Sequence, residues 1–138
     1  LEFDDRNAAF TLTNYKMICL LVEGNYPSYN SVIPTDNPFK MTIDRIEFYN
    51  ALRRVSVFSN QASNLVKLSL AGNCQYDGDD LEIGFKSTFL IEILGNLATT
   101  DITLEMSDPT RAGILMPVSS DNENEDILML LMPMMINA

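Results

Sequence analysis

The sequence predicts an α+β fold in which a strand, helix, strands unit occurs twice within about a hundred residues. Three observations carry this expectation. Apolar residues alternate at period two in the first third of the chain, the spacing becomes helical after Asp44, and a second helical stripe begins at Lys86 among short alternating segments.

The first segment, "FTLTNYKMICLLVEG" from Phe10 to Gly24, sets Phe10, Leu12, Ile18, Leu20 and Val22 at period two, with Asn14 and Lys16 between them. That pattern predicts half-buried strand. "NYPSYNSVIPTDNPF" follows, with three prolines and three asparagines and little periodicity, and reads as a connector and domain boundary. In "TIDRIEFYNALRRVSVFSN", Asp44 and Glu47 fit a helix start in which each side chain satisfies a free backbone N–H. Phe48, Leu52 and Val55 recur at helical spacing, and the chain is expected to turn extended at "VSVF". "NLVKLSL" and "DLEIGF" read as strands. "KSTFLIEILGNL" reads as a helix whose apolar stripe is Phe89, Leu90, Ile93, Leu94 and Leu97, stopped by Gly95 and Asn96. "DITLEMS", "AGILMPV" and "DILMLLMPM" complete the set as three strands, the last two separated by the polar loop "SSDNENED".

The totals exclude several functions. The chain has 138 residues, about one domain or one domain and part of another, and its 46% hydrophobic content argues against disorder. Cys19 and Cys74 are too few and too far apart for a disulfide framework, and no signal peptide is legible, so a reducing, cytoplasmic setting is expected. There is no histidine, which removes the commonest general base and zinc ligand, and no glycine-rich phosphate loop. No cofactor and no metal are expected.

Two acidic clusters, "DGDDLE" and "DNENED", lack the order or the glycine of a calcium loop, and solvated turns are the simpler reading. A carboxylate-based metal-dependent hydrolase working through "DGDDLE" stands as the alternative function. The net charge of −10 repels nucleic acid on average, yet four of the nine basic residues fall between Lys40 and Arg54. Arg45 and Arg53 lie eight apart on one helix face beside Arg54, a patch suited to loose, non-specific contact with DNA phosphates. Near the end of the sequence, eight of the nine residues from Ile127 to Met135 are Ile, Leu or Met. The run is too short for the roughly 20 residues that span a bilayer and is interrupted by Pro133, so no membrane contact is expected. Methionines around a proline suit an adaptable peptide pocket.

The stretches "LLVEGNYPSYNSVIP", "ALRRVSVFSN", "GDDLEIGFKSTFLIEIL" and "LMPMMI", in this order, resemble the bacterial sliding clamps, the β subunits of DNA polymerase III. The resemblance implies the DNA-clamp fold, with helices on one face of an antiparallel sheet. Residues 1–38 are then the C-terminal end of clamp domain 2 and a connector, and residues 39–138 are clamp domain 3. Relative to the family, a strand-turn-strand's worth of sequence is absent after Asn73. The implied function is non-catalytic: a processivity factor that is part of a head-to-tail homodimer ring around double-stranded DNA and docks polymerase subunits, the clamp loader and repair proteins through short peptides. The implied peptide pocket takes Pro27, Val32, Lys86, Phe89, Thr110, and Leu130, Leu131, Met132, Pro133, Met134, Met135 and Ile136. Ser31, Ser63 and Met135 depart from the residues usual there and imply a shifted peptide preference. Arg54 matches a basic residue facing the central hole, and Val57 and Phe58 match the subunit interface.

Overall fold

The computed structural model describes residues 1–72, 79–119 and 125–136 and, for residues 76–77, the backbone. Cys74 and most of "DNENED" lie outside them.

The first strands form an antiparallel meander of β1 (Glu2–Phe3), β2 (Asn7–Thr11) and β3 (Lys16–Leu20). The carboxylate of Asp4 accepts the backbone N–H groups of Arg6 and Asn7, which closes the first turn and holds that carboxyl below its ordinary range. The alternation read from the sequence is only partly strand, with Leu12 and Val22 beyond the ends of β2 and β3, and it is not half-buried. Phe10, Leu12, Ile18, Leu20 and Val22 are all exposed, Val22 at 95%. A strand pattern predicts a face and not its cover, and this three-stranded sheet carries no helix layer of its own.

The second region holds the core. It contains β4 (Phe39–Asp44), α1 (Arg45–Ser56), β5 (Leu65–Leu70), β6 (Tyr76–Asp77), β7 (Leu81–Lys86), α2 (Ser87–Asn96), β8 (Asp101–Met106), β9 (Gly113–Pro117) and β10 (Met129–Leu131). The strands form a five-stranded antiparallel sheet, ordered β10-β9-β8-β4-β6, and a separate β5-β7 pair. The expected repeat is visible in the connections: β4 runs directly into α1 and β7 directly into α2. Ile83, Phe85, Leu90, Leu94, Ile102, Leu104, Met106 and Leu115 are fully buried in one core between the helices and the strands.

Helix α1 starts as the sequence expects at Asp44, whose side chain accepts the N–H of Glu47 at 2.8 Å. The reciprocal bond from Glu47 is not formed among the described residues; Asp44 closes β4 opposite Asp101 instead. Phe48 and Leu52 are buried, whereas Val55 is 55% exposed, and the chain turns at Val57 and Phe58 where extended backbone was expected. The last helical turn carries its apolar residues past the core. Asn64 takes φ 50°, a left-handed position that asparagine tolerates, and its carbonyl accepts the N–H of Ser87, joining the start of β5 to the start of α2.

Arg45 ties the two helices together. Its Nε–H donates to the carbonyl of Thr99 at 2.7 Å and an Nη–H donates to the carbonyl of Leu94 at 2.9 Å. These are carbonyls of the last turn of α2 and of the loop beyond it, where a cation meets both unpaired acceptors and the negative end of the helix. Arg45→Ala is expected to cost about 2 kcal/mol, the scale of hydrogen bonds to a charged donor. Urea unfolding checks this, and an unchanged midpoint would refute it.

Candidate functional site

The apolar stripe of α2 divides between two environments. Leu90 and Leu94 point into the core with no exposure, and Leu97 joins them. Phe89 and Ile93, one position back around the helix, face the last strand instead. With Glu92, Leu130, Leu131 and Met132 they line a groove of 320 Å³ between α2 and β10. Phe89 is 50% exposed and Met132 59%, so the groove is open and its wall is an aromatic ring and a flexible thioether.

The ending of the chain builds the other wall through a change of partner. Met129, Leu130 and Leu131 pair with Leu115, Ile114 and Gly113 and so extend the five-stranded sheet. Beyond Pro133, Met134 bridges Gly84 of β7, its N–H donating to the Gly84 carbonyl at 2.7 Å. The tail thus crosses from one sheet to the other at Pro133, a residue with no N–H to give to either ladder. Gly84 makes the crossing possible. A Cβ at that position would stand 2.7 Å from the Met134 carbonyl oxygen and 2.9 Å from side-chain carbons of Ile136 and Leu65.

Of the pocket residues expected from the sequence, the fold brings together Phe89, Leu130, Leu131 and Met132. Lys86 stands beside them, its ammonium 4.8 Å from the centre of the Phe89 ring. Met134 and Ile136 serve the tail's attachment over Gly84, and Met135 is 75% exposed. Pro27 and Val32 flank a short 3-10 turn, Tyr29–Ser31, and line no part of this groove. Thr110 is also outside it: its hydroxyl and N–H donate to Asp108, which holds that carboxyl below its ordinary range. Glu92 and Ile93 are lining residues that the sequence did not single out for the site. The signal for both was the helical period, which sets residues 89, 92 and 93 on one face.

The expected basic patch is narrower than its composition. Lys40 pairs with Glu105 at 2.6 Å, and Arg45 is taken up by the two carbonyls of α2 and its loop. That leaves Arg53 and Arg54, both exposed, with Arg53 lying 5.8 Å over the Tyr49 ring and Arg54 lining a shallow groove with Glu47 and Asn50. Val57 and Phe58 are 78% and 89% exposed and form an apolar tip after α1. In the acidic segment "DGDDLE", Glu82 is engaged across the β5-β7 pair by Lys67 at 2.8 Å and by Ser69, which lowers its carboxyl's pKa. Among the described residues, no cluster of three His, Cys, Asp or Glu able to hold a metal ion occurs and no helix is long and apolar enough to cross a membrane.

Comparison with known proteins bears on these readings. Residues 71–135, which include the groove and the whole tail crossing, match the family model for the C-terminal domain of the DNA polymerase III beta subunit. This chain resembles the bacterial sliding clamps. It is 28% identical to the beta sliding clamp of Chlamydia pneumoniae over 153 residues, covering 97% of this chain and 40% of that protein. The clamp of Caulobacter vibrioides is 27% identical over 155 residues, covering 99% of this chain and 41% of that one. The crystal structure of the Bartonella birtlesii sliding clamp bound to griselimycin superposes with a TM-score of 0.83 at 29% identity, over 96% of this chain and 40% of that one. The Pseudomonas aeruginosa clamp superposes at 0.87 with 23% identity and supports the fold. The chain thus spans about 40% of the length of the clamps it matches. The Chlamydia alignment is longer than the chain's 138 residues, so that clamp has residues that this sequence lacks.

Proposed function

We propose that this chain acts as the C-terminal part of a DNA polymerase processivity clamp, with residues 1–38 belonging to the end of one clamp domain and residues 39–138 forming the next. Its role is non-catalytic. The groove between α2 and β10 docks short peptides of polymerase subunits, the clamp loader and repair proteins. Arg53 and Arg54 face double-stranded DNA, and the exposed Val57 and Phe58 fit the subunit contact of a head-to-tail homodimer ring in the cytoplasm. A ring holds DNA by topology, so two exposed guanidiniums on an acidic body suffice for weak phosphate contacts that leave sliding fast.

The observation that carries this reading is the open apolar groove, which lies within the stretch similar to the clamp C-terminal domain. Neither the comparisons nor the described geometry favours the carboxylate-based hydrolase, since Glu82 of that segment is spent on Lys67. A fluorescein-labelled peptide bearing adjacent leucine and phenylalanine tests the proposal by anisotropy. Saturable binding that unlabelled peptide competes away is expected, and absence of binding by the folded chain would overturn it.

A further inference from the structure

The groove has one charged wall residue. Phe89, Ile93, Leu130, Leu131 and Met132 are apolar, and Glu92 stands among them on the exposed side of α2. Its carboxylate makes no ion pair and accepts no side-chain hydrogen bond among the described residues; the Asn96 amide donates to the backbone carbonyl of Glu92, not to its carboxylate. Helix α2 itself carries no cation, and the nearest in sequence is Lys86 at the end of β7, six positions earlier. That ammonium is placed over the Phe89 ring instead. An unpaired carboxylate beside an apolar slot rewards a ligand that brings both an apolar anchor and a cation, and it penalises one that brings an anion.

We propose that Glu92 makes the α2-β10 groove select peptides that carry a lysine or arginine next to their apolar anchor. This rests on the reading of the groove as a peptide site and adds the charge of its ligand. The chain's net charge of −10 favours cationic peptides everywhere on the surface, so the test must separate the local carboxylate from the total.

Two labelled peptides identical but for a lysine or a glutamate flanking a Leu-Phe pair are titrated against the whole chain and against three variants. The wild type should prefer the lysine peptide by roughly fivefold, the upper range for an exposed pair. Glu92→Gln should remove most of that preference, and Glu92→Lys should invert it. Glu2→Lys, which changes the total charge equally on the distant first strand, should leave it intact. Saturable binding of both peptides with no preference, or a preference lost equally in Glu2→Lys and Glu92→Lys, overturns the role of Glu92 and leaves the groove reading standing. Failure of both peptides to bind the folded wild type overturns both.

Discussion

Met132→Asp should reduce affinity for an apolar peptide by roughly thirtyfold or more, the effect of losing one interface anchor of about 2 kcal/mol. The thioether of Met132 lines the groove opposite Phe89 and Ile93. A carboxylate there would be buried by the incoming peptide with no cation inside the slot to pair with it, and Glu92 would add repulsion. The fold should be indifferent. Met132 is 59% exposed, and surface changes of this kind stay within about 0.5 kcal/mol. Anisotropy titration together with a urea midpoint separates the two effects, and unchanged peptide affinity would sink the assignment. Met134→Asp cannot serve the same purpose. Met134 is partly buried and its backbone is bridged to Gly84, so that change would disturb the tail's attachment along with the site.

Gly84→Val is expected to detach the end of the chain. Any Cβ at this position meets backbone, the Met134 carbonyl oxygen at 2.7 Å, and a branched one adds to the clash with Ile136 and Leu65. Overpacking of this sort costs about 1–3 kcal/mol, and here the tail has solvent to escape into. Released from β7, residues 134–136 would no longer hold Met132 against the groove, so peptide affinity should fall although no lining residue has changed. Hydrogen exchange at the Met134 amide gives the direct measurement: protected in the wild type, it should exchange freely in Gly84→Val. Continued protection would show that the bridge survives and that the cause is misassigned. Gly84→Ala should act in the same direction with a smaller loss.

The elements themselves were legible wherever period and turn chemistry agreed. β5, β7, β8 and β9 lie where alternation placed them, and Asp44 caps α1 because a side-chain oxygen three residues before a free N–H needs only local geometry. What period could not supply was the neighbour. Val55 continues the spacing of Phe48 and Leu52 yet is exposed. Ile18 and Leu20 alternate as a buried face would, yet both are exposed, and the register sets Phe10 beside Met17 on the other face. Arg45 counted toward a basic patch by its charge, but its guanidinium is occupied by carbonyls that lie some fifty residues further along the chain. Long-range pairing of this kind leaves no trace in local spacing.

The sequence by itself determined the two strand-helix units, the acidic character, the absence of histidine chemistry and the methionine-rich ending, since each depends on composition or on residues a few positions apart. The tertiary structure alone decided that the stripe of α2 would divide, with Leu90 and Leu94 going to the core and Phe89 and Ile93 to a groove. It also decided that the chain would change sheets at Pro133. Both outcomes depend on which strand lies beside which: β10 pairs with β9, while the residues after it find β7 and the space left by a missing side chain at Gly84. A sequence can specify a face or a missing side chain, but what lies against either is fixed only when distant segments pack together.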